Sequence, residues 1–165
     1  MNRLLDEQDI KQGVKQTVDH ILTDHDFNES VISIACVMNA AFLFYNDIVN
    51  ELARRGHNNV ECLFLVKGLP LPKPKASKLY VVDTLLDTGS TAASIEERYK
   101  QEQPSLKLEF LFLCKKKYQK FMISSSTHCV YNVQTCFLYG YGMDDGTTMS
   151  RNYDSIFTND DIHGI

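Results

Sequence analysis

Residues Leu79 to Thr91 read Leu-Tyr-Val-Val-Asp-Thr-Leu-Leu-Asp-Thr-Gly-Ser-Thr, and no other segment limits the fold as strongly. An apolar run of strand length, Leu79 to Val82, leads through two acids into a small, hydroxyl-rich loop. A helical pattern over Ser90 to Gln101 follows. This passage puts a loop at the carboxyl end of a buried strand, where open α/β sheets bind their ligands. The same loop opens a helix, whose unpaired N–H groups and dipole favour a phosphate. Gly89 lets the backbone turn tightly and come close to an anion. Thr88, Ser90 and Thr91 add hydroxyl donors.

A phosphate alone has no need of acids. Asp83, at the strand end, is placed to accept hydrogen bonds from two ribose hydroxyls. Asp87 is placed to act as a general base, or to steady developing positive charge, near a base being glycosylated. Taken alone, Asp-Thr-Gly also reads as a plain turn in which Asp87 caps the next helix.

The rest of the chain supplies the sheet. Asp6 to Leu22 carries Ile10, Val14, Val18 and Ile21 at helical spacing. Val31 to Val37 is an apolar run of strand length. Asn39 to Arg55 reads as a helix with Phe42, Leu43, Ile48, Val49 and Leu52 on its buried stripe and Gly56 as its stop. Val60 to Val66 and Leu106 to Leu113 read as strands, as do Cys129 to Val133 and Cys136 to Tyr141. Between Gly68 and Ser77 stand three of the four prolines, Pro70, Pro72 and Pro74, with Lys73 and Lys75. Proline removes backbone donors, so this stretch is a connector. Strands that alternate with helices predict a parallel α/β sheet, and their near-continuous apolar character fits burial on both faces. One domain spanning residues 1–165 is expected.

Composition narrows the function. A net charge of -4, from 17 basic and 21 acidic residues, gives no global pull toward nucleic acid. The basic run Lys115 to Lys120 reads as a solvated loop. No apolar stretch is long enough to span a bilayer, and Met1 to Gln8 lacks the apolar core of a signal peptide. The five cysteines lack metal or redox spacing and read as buried, reduced thiols of a cytoplasmic protein. The five histidines (His20, His25, His57, His128 and His163) have no ligand spacing, so a dedicated zinc site is not expected.

Val-Val-Asp-Thr-Leu-Leu-Asp-Thr-Gly-Ser-Thr resembles the phosphoribosyl-diphosphate signature of the type I phosphoribosyltransferases. It is most similar to that of the hypoxanthine-guanine branch, where two adjacent acids and two aliphatics precede Asp-Thr-Gly-x-Thr. Phe137-Leu-Tyr-Gly-Tyr-Gly-Met-Asp144, followed by Arg151-Asn-Tyr, resembles the C-terminal motif of the same family. The resemblance implies a twisted parallel sheet flanked by helices, with a small hood. It implies a purine phosphoribosyltransferase that joins a purine base to phosphoribosyl diphosphate with Mg2+, in purine salvage, and pairs as a dimer or tetramer.

By the same resemblance Asp87 is catalytic. Asp83, Thr84, Thr88, Gly89, Ser90, Thr91, Asn39 and Arg151 bind phosphoribosyl diphosphate. Lys115, Phe137 and Leu138 contact the purine, and Asp83 and Asp144 lie at the metal. Three features depart from the family. Thr84 stands where the second of the adjacent acids is found. Asn39 and Ala40 replace a Lys-Gly pair that binds pyrophosphate. The long mobile lid is reduced to Lys67 to Lys78, which reads as a connector, or as a reduced lid with Lys73 and Lys75 as replacement cations. These departures leave open a non-catalytic protein that keeps the fold and binds a nucleotide or phosphoribosyl diphosphate.

Overall fold

A computed structural model describes residues 2–134, 137–147 and 150–159. The chain runs β1 (Asn2–Leu5), α1 (Glu7–Asp24), β2 (Ile32–Val37), α2 (Phe42–Arg54), β3 (Val60–Leu65) and β4 (Lys78–Leu86). It continues as α3 (Ser90–Glu102), β5 (Lys107–Lys116), β6 (Ser126–Val133), β7 (Leu138–Tyr139) and β8 (Ile156–Thr158). The main sheet has the order β3-β2-β4-β5-β6 and is parallel throughout. β1, β8 and β7 form a second, antiparallel sheet, the expected hood.

Each helix has a local reason to begin. Asp6 accepts from the Asp9 amide at 2.9 Å, and the Asp9 carboxylate accepts from the Asp6 amide at 3.0 Å. This reciprocal capping starts α1, whose buried face is Ile10, Gly13, Val14, Thr17, Val18 and Ile21. α3 begins at Gly89, whose φ of +86° only glycine adopts without strain. A Cβ there would also meet the Phe121 carbonyl oxygen at 2.6 Å. α2 starts at Phe42, three residues later than its apolar pattern suggests, because Asn39 to Ala41 form the turn out of β2.

Two apolar layers hold the sheet. On one face, α1 and α2 bury Val18, Ile21, Phe44 and Ile48 against Ile34, Tyr80, Val82 and Leu111. Leu5, Leu138, Tyr141 and Ile156 of the hood belong to the same cluster. On the other face, Ala92, Ile95 and Tyr99 of α3 cover Ala35, Val81, Phe110 and Phe112.

Several expectations are corrected. β4 continues through Asp83 and Thr84 to Leu86, held by parallel pairing with β5, instead of ending at Val82. β7 is only Leu138–Tyr139, and Cys136 lies outside the described residues. β1 and β8 lack a sequence signal and pair with each other across the length of the chain. Cys62 is exposed, whereas Cys36 and Cys114 are buried as read. His20 and His128 stack with ring centroids 4.1 Å apart despite their distance in sequence, and His163 lies outside the described residues.

The Pro-rich connector is pinned along its length. The Leu69 carbonyl accepts from Arg98 at 3.1 Å, and Pro72 accepts from Tyr99 at 3.0 Å and Gln103 at 3.2 Å. The Lys75 amide donates to Glu61 at 2.8 Å, and that of Ala76 to Ser33 at 3.2 Å. It is a wall fixed against α3.

Gly142 joins the hood to the main sheet. Its φ is +94°, and a Cβ there would run into the Ala40 carbonyl. Gly146 has a similar φ of +91° with nothing near its missing Cβ. Gly142→Ala is expected to cost about 2–4 kcal/mol, from left-handed strain plus overpacking. Gly146→Ala is expected to cost only the strain, about 1–2 kcal/mol. Urea unfolding of both variants separates the two contributions.

Candidate functional site

The order of the main sheet fixes where a ligand can bind. From β2 the chain steps to β3 on one side and then crosses to β4 on the other. The loops after β2 and β4 therefore diverge, and a crevice opens outside the carboxyl ends of these strands. A cleft of about 490 Å³ lies there. Val37 to Ala40 line it from β2, Asp83 from β4, and Ser90, Thr91, Ser94, Ile95 and Arg98 from α3. Leu65 to Leu71 close one side and Arg151 another. A smaller recess of about 310 Å³ flanks it beyond Asn39 and Arg151, against Phe42 and Leu43.

Asp83 is the cleft's carboxylate. Burial pushes its carboxyl up to about 7, against the opposing backbone hydrogen bonds from Thr84 and Leu85. The Thr84 amide donates to it at 2.8 Å. Thr84 itself points away from the cleft: its side chain is fully buried and donates to the Ala40 carbonyl at 3.1 Å. The hydroxyl that stands in the second acid's place thus fastens the turn after β2.

The loop from Asp87 to Thr91 is braced from outside. The Thr88 carbonyl accepts from the amides of Lys120 and Phe121, both at 2.9 Å. The end of the basic run is thus docked on this loop by its backbone, while the side chains of Lys117, Tyr118 and Lys120 are exposed. Its continuation is tied to α3 through Glu96, which accepts from the Ser124 amide at 3.1 Å and the Ser125 amide at 2.7 Å. Against the burial that would raise it, these bonds hold the Glu96 carboxyl down to about 2. Thr88, Ser90 and Thr91 remain exposed.

Asp87 does not cap α3, whose N-cap is Gly89 without any side-chain bond. It is exposed and pairs with Lys116 at 3.1 Å, whose side chain is largely buried. The β4–β5 register explains this pairing: Leu86 lies opposite Lys115, so Asp87 one step on lies opposite Lys116. Lys115 is half-buried beside Cys129, whose thiol burial pushes up to about 11 while the Lys115 charge acts to lower it. Cys129 packs with the α3-side cluster. The structure therefore brings Lys116, and not Lys115, to Asp87.

On the hood side, Phe137 is exposed, and its ring is tilted against Tyr139 at 6.5 Å. Leu138 is buried and pairs with Thr158. Arg151 donates to the Gly142 carbonyl at 2.6 Å and binds the Asp144 carboxylate. Asp144 is thus spoken for by a cation. The Met38–Asn39 peptide is cis, and Asn39 faces both the cleft and the recess. Among the described residues no group of three His, Cys, Asp or Glu side chains could hold a metal. No helix among them is long and apolar enough to cross a membrane. Sequence reading missed Lys116, Ser94 and Arg98. The helical spacing of Ser90, Ser94 and Arg98 was the available signal for the last two.

No family model matches the chain. It is 26% identical to the hypoxanthine-guanine phosphoribosyltransferase of Aquifex aeolicus (strain VF5), over 96% of this chain and 94% of that protein. Among solved structures, it is similar to a hypoxanthine-guanine phosphoribosyltransferase of Bacillus anthracis, with a TM-score of 0.78 and 22% identity over 94% of this chain and 95% of that one. It is also similar to the hypoxanthine phosphoribosyltransferase of Trypanosoma cruzi, with a TM-score of 0.76 and 20% identity over 96% and 95% of the two chains.

The raised Asp83 carboxyl has a signed consequence for stability. Its folded value, about 7, lies above the ordinary 3.8, so between these values the folded state holds a proton that the unfolded state has lost. The contribution is present below about pH 4 and is lost as pH rises toward 7. Asp83→Asn is expected to gain stability relative to the parent as pH rises from 4 to 7, with no further gain above it. Urea titrations across that range check the sign; a gap that narrows with rising pH contradicts it.

Proposed function

We propose that this chain, which has the type I phosphoribosyltransferase fold, is a purine phosphoribosyltransferase of the hypoxanthine-guanine kind. It joins a purine base to phosphoribosyl diphosphate, giving a nucleoside monophosphate and pyrophosphate. The observation that carries this reading is the cleft at the β2–β4 switch point. There a carboxylate at the strand, a helix-opening hydroxyl loop and an arginine face one space.

The reaction forms a bond from a purine nitrogen to the anomeric carbon and breaks that carbon's bond to the diphosphate oxygen. The electron pair leaves with the diphosphate, and the purine N–H proton is released. Positive charge grows on the ribose as the polyanion departs, so positioning and electrostatics carry most of the catalysis. In this reading Thr88, Gly89, Ser90 and Thr91 hold the 5′-phosphate at the N-terminus of α3. Asp83 accepts from the ribose hydroxyls. Asp87 takes the purine proton or steadies the ribose charge, and Lys116 keeps it oriented. Asn39 and Arg151 face the diphosphate, and Asp144 positions Arg151. Phe137 stacks on the purine and the backbone at Leu138 meets its edge. Lys116 takes over from Lys115 the reading of the purine's exocyclic oxygen.

The donor set fits magnesium. This ion favours one or two carboxylates together with waters and substrate phosphates, and Asp83 is a hard oxygen donor facing the cleft. When bound, magnesium neutralises charge on the leaving diphosphate. We further read residues 1–165 as one domain, acting in purine salvage in the cytoplasm as a homo-oligomer.

The test is pyrophosphate release. Protein, phosphoribosyl diphosphate and magnesium are combined with hypoxanthine, guanine, xanthine or adenine in turn. Release that depends on a 6-oxopurine is expected. Folded protein that releases none with any base, yet binds nucleoside monophosphate, turns the reading into that of a binding protein. Asp87→Asn is expected to lower kcat by about 10²–10⁴-fold.

The two lysines separate as well. Lys116→Ala is expected to lower kcat/KM for 6-oxopurines by about 10–100-fold, as loss of a charged hydrogen bond does. Lys115→Ala is expected to change it by no more than about twofold. The reverse order returns the role to Lys115.

A further inference from the structure

We propose that Arg98, seconded by Lys67, is the cationic grip for the diphosphate of the sugar donor; this rests on reading the cleft as a phosphoribosyl-diphosphate site. The charged residues facing the cleft are Asp83, Lys67, Arg98 and Arg151. Arg151 is already met by Asp144. The turn after β2 contributes only the neutral Asn39 and Ala40. A diphosphate carries several negative charges, and a low-dielectric cleft must supply opposite charge or leave them unpaired.

Positive charge enters from the α3 side. Among the described residues, neither Arg98 nor Lys67 forms an ion pair. Arg98 is half-buried and lines the cleft. Its bond to the Leu69 carbonyl at 3.1 Å engages one N–H of a guanidinium that carries five donors. The bond brings the long side chain to the wall that Lys67 begins. Ser90, Ser94 and Arg98 follow one another at four-residue intervals along one face of α3. The face thus runs from the helix N-terminus, suited to one phosphate, to a planar fork suited to bidentate contact with another. A sugar carrying phosphate at both ends matches that order.

The experiment is calorimetric titration of magnesium pyrophosphate, and separately of inosine 5′-monophosphate, into the whole protein and three variants. Arg98→Ala is expected to weaken magnesium pyrophosphate by about 10–100-fold. Arg98→Lys keeps the charge and should retain most of the affinity. Arg98→Gln can still donate to the Leu69 carbonyl but lacks charge, and should behave like the alanine variant. The monophosphate has no diphosphate, so its affinity should stay within about twofold in all three. Unchanged pyrophosphate binding in Arg98→Ala overturns the proposal. So does a glutamine variant that binds as well as the lysine variant, because the role is then only to seat the connector. A parallel loss of monophosphate binding overturns it too, since α3 itself has then moved. Unaltered protein that binds neither probe overturns the reading of the cleft, and the proposal with it.

Discussion

The Ala40 carbonyl oxygen is the point on which the site's shape depends. It accepts the Thr84 hydroxyl from inside the sheet, at 3.1 Å, and the hood backbone passes against it at Gly142. Three segments far apart in sequence meet there: the turn after β2, the middle of β4, and the chain after β7. A buried carbonyl left without its donor costs about 1–3 kcal/mol, so the contact is held strongly. A carboxylate in place of Thr84 could not donate to that oxygen. The hydroxyl is therefore suited to the buried face on which it stands, and Asp83 is left as the acid that faces the cleft.

The cleft's electrostatics follow from this arrangement. On its floor Arg151 is bound to Asp144, and burial pushes the Asp83 carboxyl up. Along its walls Lys67 and Arg98 stand on one side, and the N-terminus of α3 adds the partial charge of its peptide dipoles. Asp87 sits apart from these, beside Lys116 at the end of the β4–β5 ladder. The Asp87–Lys116 pair is set by the β4–β5 register.

Much of this was legible in the chain. The three inner strands, β2, β4 and β5, announce themselves as apolar runs because inner parallel strands are buried on both faces, whereas the edge strands β3 and β6 are only partly buried. The hydroxyl loop and its glycine mark the proposed anion site for the same reason that they would form it. The failures have physical causes. Asp and Thr are poor strand residues, yet pairing with β5 carries β4 through Asp83 and Thr84. Strands as short as β1 and β8 carry too few residues for an alternation to register, and their pairing is non-local. Lys115 and Lys116 are chemically identical neighbours. Only the register between two strands decides which meets Asp87, and a one-residue step exchanges the faces.

The fixed connector has a kinetic and thermodynamic meaning. A lid that closes on its substrate must be ordered at the moment of binding, and its opening can set the pace of turnover. Residues 67–77 are ordered at folding instead, by the prolines' fixed φ and by the carbonyls of Leu69 and Pro72 held on α3. Ligand then meets a wall already in shape, with little conformational entropy left to lose. The counterpart is that this wall cannot exclude water by moving, and in the proposed reaction water competes with the purine for the same electron-poor carbon.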